Sequence, residues 1–203
     1  MESKKVALVI VDISGYTQFI RSQRLSAIHA EEISFELLEA VIDHAAYPLI
    51  LNKLEGDAAL LYAEMNGDPS AVAQDVARQA QAFFEVFYAR ARSLSQERAN
   101  CDCNACQRVH DLRLKAILHS GEVIFKKIRQ FEEMAGEDVI LIHQLLKNSI
   151  PSNEYIVMTR SFYELIGQLD DLSPETRQET CDSLGEVTIH VFYPRLNHRL
   201  ELT

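Results

Sequence analysis

The sequence predicts an α+β domain on a ferredoxin-like plan: a mostly antiparallel sheet with helices packed on it. Three observations predict it. The chain opens on a continuous apolar run, Val6 to Val11, the pattern of a strand buried on both faces. Two helical stretches follow, and then a hairpin pattern turning at Glu55-Gly56-Asp57. After a long helix the order is hairpin, helix, strand, helix, strand, which suits a sheet covered by helices.

The elements take their positions in turn. Lys5 to Asp12 reads as the buried first strand, and Ser14 as a cap for the helix carrying Tyr16, Phe19 and Ile20. A second helix spans about Ser26 to Ala46, with Ile33, Leu37, Leu38, Val41 and Ile42 at helical period and Pro48 beyond its end. Leu49 to Leu54 and Ala58 to Ala63 form the hairpin. Gly67-Asp68-Pro69-Ser70 starts a long helix to about Arg98, whose stripe of Val72, Val76, Phe83, Phe84 and Phe87 is core or a dimer surface. Leu112 to His119 and Glu122 to Lys127 read as two strands around Ser120-Gly121. Glu137 to Lys147 is helical, Ile156 to Met158 a strand, Arg160 to Ile166 a helix and Val187 to Tyr193 a closing strand. One domain, 1–203, is expected, with a Cys-rich insert at 100–110 and an acidic surface loop at 167–182.

The net charge of −10 argues against general nucleic-acid binding, which needs a basic footprint. It does not exclude a nucleotide, because bound Mg²⁺ bridges carboxylates and phosphates. The apolar runs are far too short to span a bilayer, and the first ends in Asp12 without a small-residue cleavage site, so no membrane association and a cytoplasmic location are expected. Four cysteines in such a chain suit thiols or metal ligands better than disulfides.

Asp12 closes the first strand, and Asp57 sits in the hairpin turn. Alone, each is an ordinary cap or turn residue. In the ferredoxin-like plan the end of strand one lies beside that turn. The two carboxylates then form a seat for Mg²⁺ or Mn²⁺ and a nucleotide phosphate.

Four segments in register carry a resemblance: Asp12-Ile13-Ser14-Gly15-Tyr16-Thr17, Lys53-Leu54-Glu55-Gly56-Asp57, Leu114 to Val123, and Gly136-Glu137-Asp138-Val139. They resemble the D-I-x-G-[FY]-[ST], K-x-x-G-D, R-x-G-I-H-x-G-x-V and G-x-x-V-N-x-A-x-R motifs of class III adenylate and guanylate cyclase catalytic domains. The chain looks closer still to a cyclase-like group with a Cys-x-Cys-x-x-Cys insert before the second hairpin. The resemblance implies the nucleotidyl-cyclase fold, metal-holding roles for Asp12 and Asp57, and nucleotide contacts for Lys53 and Glu133. It also implies a homodimer, since these cyclases build their sites at a head-to-tail interface. Two positions depart from the pattern. Ile140 falls where the family's ribose-orienting asparagine stands, and Gln144 where its phosphorane-stabilising arginine stands. A neutral amide cannot supply the fixed positive charge that in-line attack on the α-phosphate requires. The expectation is a catalytically degenerate cyclase-homology domain that binds a metal–nucleotide or acts as a dimeric regulatory or interaction module. The alternative is an active adenylate cyclase converting ATP to cyclic AMP with two metals. A third reading is a purely structural dimer with a zinc-stabilised loop.

Cys101, Cys103 and Cys106 place three thiols within six residues, and His110 follows four later. Thiolates and an imidazole are good Zn²⁺ ligands, and four close a structural tetrahedron. Cys181 is the other candidate for the fourth ligand, and three reduced thiols in a loop are an equally weighted reading. Zinc ranks above an iron–sulfur cluster because only three cysteines cluster. His119 reads as a structural histidine near a strand end. His29, His44, His143, His190 and His198 show no ligand spacing.

Overall fold

β1 (Glu2–Ser14) is the central strand of the fold, lying between β3 (Ala58–Glu64) and β4 (Arg113–Ile128) and antiparallel to both. The structure is a computed structural model describing residues 1–21, 27–167 and 173–194. The sheet runs β2 (Ile50–Glu55), β3, β1, β4, β6 (Tyr155–Thr159), β8 (Gly185–Phe192), β7 (Glu175–Cys181), and β5 (Phe131–Ala135) pairs with the far half of β4. Every pairing is antiparallel except β4 with β6.

The unbroken apolar run of β1 follows from burial of both faces. Ala7, Val9, Val11 and Ile13 pack beneath α2 (Ala27–His44) and α3 (Pro69–Glu97), against Ile33, Leu37, Phe83, Phe84 and Phe87. Val6, Leu8 and Ile10 face the other way, against Leu60, Ile117, Val139 and Ile142 of α5 (Glu137–Gln144). The three phenylalanines of α3 are fully buried and are therefore core. α3 begins where the sequence predicts: Asp68 Oδ1 accepts the Ser70 amide at 3.0 Å, and Pro69 occupies the first turn. Short elements complete the chain: α1 (Tyr16–Arg21), α4 (Asn104–Gln107), α6 (Arg160–Ile166), and 3-10 turns at Val109–Asp111 and Leu145–Lys147. Among the described residues, no helix is long and apolar enough to cross a membrane.

Two segments differ from expectation. Ser120-Gly121 is not a turn: β4 runs straight through it, and the hairpin forms with β5 instead. Gly121 is needed because a Cβ there would collide with the Asp138 carboxyl group. That carboxylate accepts the Glu122 amide at 2.6 Å and meets His119 Nε2 at 2.9 Å, pinning the start of α5 to the strand. His119 also bonds Thr159 at 2.8 Å, so it is the structural histidine the sequence predicts. The expected acidic loop falls partly on 168–172, outside the described residues, but Glu175–Cys181 is a strand. Its charge misleads because alternate residues are buried: Glu179, 7% exposed, accepts from Ser149 N at 3.1 Å and Oγ at 2.7 Å.

Candidate metal and nucleotide site

Asp12 pairs directly with Ala58, and the Ile13 amide donates to the Asp57 carbonyl at 3.1 Å. Strand end and hairpin turn are therefore neighbours, as the ferredoxin-like plan requires, and the two aspartates share one end of the sheet. Asp12 also pairs with Lys115 of β4, whose Nζ lies 3.0 Å from Asp12 Oδ2 and 3.3 Å from the Leu146 carbonyl. Both side chains of that ion pair are largely buried. Burial first, and then the charge of Asp12, push the Asp57 carboxyl up to about 6, with Lys115 opposing only in part. Two carboxylates against one ammonium leave an excess of negative charge in a half-buried corner. This hard, anionic oxygen donor set fits Mg²⁺ or Mn²⁺.

Lys53 and Glu133, the two residues to which the resemblance gives nucleotide contacts, come together: Lys53 Nζ lies 3.6 Å from Glu133 and 3.4 Å from Glu55. Asn52 donates to the Glu132 carbonyl at 3.0 Å, holding β2 beside β5. Glu55 in turn meets His143 Nε2 of α5 at 2.8 Å. The side chains thus form a chain, Glu133–Lys53–Glu55–His143, from sheet to helix.

α5 carries the two departures. Ile140 is 54% exposed and makes an apolar wall. Gln144 spends its amide on the Asp182 carbonyl at 2.9 Å, while its Oε1 is buried without a hydrogen-bond partner. Both residues line an open groove of about 790 Å³ that His143, Lys147, Thr180 and Asp182 complete. Lys115 links this segment to the aspartate seat through the Leu146 carbonyl.

The thiol cluster forms, with a different fourth member. His29 in the first turn of α2 joins Cys101, Cys103 and Cys106, and their ligand atoms all lie within 4.8 Å of one another. His110 instead faces Asp111 at 3.5 Å, and Cys181 packs in the core on the α5 side of the sheet. His29 is separated from the cysteines by more than seventy residues of sequence, so spacing gives no signal for it. Lys115 is equally invisible without the strand register that places it opposite Asp12.

This architecture is that of adenylyl and guanylyl cyclase catalytic domains. The adenylyl cyclase CyaB from P. aeruginosa superposes with a TM-score of 0.72 at 17% identity, covering 100% of this chain and 98% of that one. The guanylate cyclase domain of RhGC from Catenaria anguillulae, solved in complex with GTP, gives 0.62 at 14% identity over 97% and 100%. By sequence, residues 34–155 match the family described as Protein of unknown function (DUF2652), and the chain belongs to that family. It is also 40% identical over 155 residues to the Uncharacterized protein Rv2561/Rv2562 of Mycobacterium tuberculosis, covering 76% of this chain and 70% of that one.

Proposed function

We propose that this chain is a catalytically degenerate cyclase-homology domain that binds a divalent metal with a nucleoside triphosphate and acts as a homodimeric regulatory or interaction module. One observation carries the reading: the asymmetry between the two ends of the site. At the sheet end, Asp12 and Asp57 form an anionic seat whose Asp57 carboxyl is raised to about 6, by burial first and then by the charge of Asp12. At the helix end, the resemblance puts Gln144 where charge on a transferring phosphate would need a cation, and its amide is already bonded to the Asp182 carbonyl. Loss of one such electrostatic partner costs on the order of a hundredfold or more in rate. Asp12 and Asp57 would hold Mg²⁺ or Mn²⁺, which supplies charge neutralisation for phosphate oxygens. Lys53 and Glu133 offer a donor and an acceptor side by side for a base edge. The RhGC domain binds GTP on this fold, which supports a purine nucleotide here.

The dimer is supported by exposed apolar side chains on the elements that carry these residues: Leu54 on β2, Ile128 and Phe131 at the β4–β5 turn, and Ile140 on α5. Large apolar groups gathered on such elements suit a covered face better than a solvated one.

Thermal shift with ATP and GTP, each with Mg²⁺ or Mn²⁺, tests the proposal. Binding at a hundred times Kd stabilises by about 2.7 kcal/mol. A metal-dependent rise in midpoint that disappears in Asp12→Ala and Asp57→Ala is expected; no rise with any nucleotide counts against it.

An active adenylate cyclase remains the second reading, favoured by Lys147, an exposed cation one turn beyond Gln144 on the same groove. Cyclic AMP formation from ATP that is lost in Asp57→Ala and in Lys147→Ala would establish it in place of the first.

A further inference from the structure

We infer that His29, Cys101, Cys103 and Cys106 form a closed, four-coordinate structural Zn²⁺ site that clips the start of α2 to the segment following α3. The inference rests on none of the nucleotide reading. The geometry is specific. The three sulfurs surround a single nitrogen: His29 Nδ1 lies 3.4 Å from Cys103 Sγ, 3.6 Å from Cys101 Sγ and 3.6 Å from Cys106 Sγ. A tetrahedral zinc with Zn–S of about 2.3 Å and Zn–N of about 2.05 Å sets each N···S edge at roughly 3.6 Å. The side chains stand at that separation.

The surroundings match a thiolate-rich site. The Cys106 amide points at Cys103 Sγ at 3.4 Å, a backbone bond of the kind that orients a metal-bound sulfur. Cys103 and Cys106 have the C-x₂-C spacing of zinc ligands, with α4 beginning at Asn104 to hold the loop. Three thiolates and a neutral imidazole around Zn²⁺ carry a net charge of about −1. Arg98, at the end of α3, brings a guanidinium to the neighbourhood of Cys106. It also pairs with Glu32 at 3.1 Å and Glu36 at 3.0 Å on α2. Cys106 is buried and Ala105, Val109 and Leu112 plug the core beside it, so the clip fixes a segment that seals the α2–α3 side.

A four-ligand closed set leaves no position for substrate, so the site is structural. An iron–sulfur cluster fits less well, because a cluster takes four cysteines and the fourth cysteine here lies in the other core. His29 stands two residues before Glu31, whose carboxylate accepts from Tyr16 Oη at 3.0 Å, just after the turn that follows Asp12. The clip thereby braces the aspartate end from behind.

The test is elemental analysis and X-ray absorption on the full chain purified without added metal. Expected are one zinc per chain and a shell of three sulfurs and one nitrogen. Treatment with a strong chelator should lower the thermal midpoint, and zinc should restore it. Zinc content should be kept by His110→Ala and Cys181→Ser, lost by His29→Ala and recovered by His29→Cys. Because cysteine variants can fail to fold, the wild-type absorption spectrum is decisive. Zinc-free protein with four titratable thiols, iron in place of zinc, a shell with two or more oxygens, or zinc that follows His110 would each overturn the assignment.

Discussion

At the level of single residues, Asp57 is the most informative. Its carboxyl is raised from the ordinary value to about 6, first by burial and then by Asp12. The folded state therefore holds the Asp57 proton more tightly than the unfolded chain does. Between about pH 4 and pH 6 this makes stability fall as pH rises, and above pH 6 the full cost is present. Asp57→Asn removes that cost while keeping the carbonyl that accepts from Ile13. It is expected to stabilise the metal-free protein by about 1–2 kcal/mol at pH 7, after discounting for solvent screening, and by little at pH 4. Denaturant titrations at the two pH values check this. The same variant should abolish the metal-dependent nucleotide shift, so stability and binding move in opposite directions. Metal affinity of the wild type should rise from pH 5 to pH 7, as the competing proton leaves Asp57. Gly121 is a different kind of residue, set by a strict steric demand. Gly121→Ala is expected to cost about 3 kcal/mol, the upper end for forcing atoms into a packed site, read as a lowered denaturation midpoint.

Among the elements, α5 is where the proposed loss of turnover can be tested. Ile140 and Gln144 sit on it one turn apart, above the groove. The double substitution Ile140→Asn with Gln144→Arg should raise cyclic-nucleotide formation on the order of a hundredfold over the wild type. Mass spectrometry of the reaction checks it, and an unchanged rate would mean that more than these two positions is missing. The elements also mark what could be read from sequence. β1, α2, the β2–β3 hairpin and α3 were legible because each carries a strong local signal: a continuous apolar run, a helical stripe, a Gly turn and an Asp-Pro start. β5 and the continuity of β4 were not, because Gly121 looks like a turn until Asp138 is seen beside it. β7 was hidden by its acidic composition, since Glu179 is buried only through Ser149. Asp12 and Asp57 were legible as a pair because topology joins them. Lys115 and His29 were not, because cross-strand register and helix packing join residues that no local pattern relates.

For the whole molecule, the proposed dimer face is made by exposed apolar side chains on β2, the β4–β5 turn and α5. Phe131→Asp changes only an exposed side chain of that face. It should convert a dimer to a folded monomer in analytical ultracentrifugation; a wild type already monomeric at high concentration would remove the dimer from the account. The fold puts Asp12 and Asp57 at one end of the sheet, and in the proposed reading Gln144 is what separates binding from turnover. Calorimetric titration of the wild type with ATP and GTP in the presence of Mn²⁺ tests that separation most directly, because one trace reports both binding and turnover. Saturable heat is expected for at least one nucleotide, ending when the site is full and absent in Asp57→Asn. No heat from either nucleotide, or heat that continues after saturation as substrate is consumed, would contradict it.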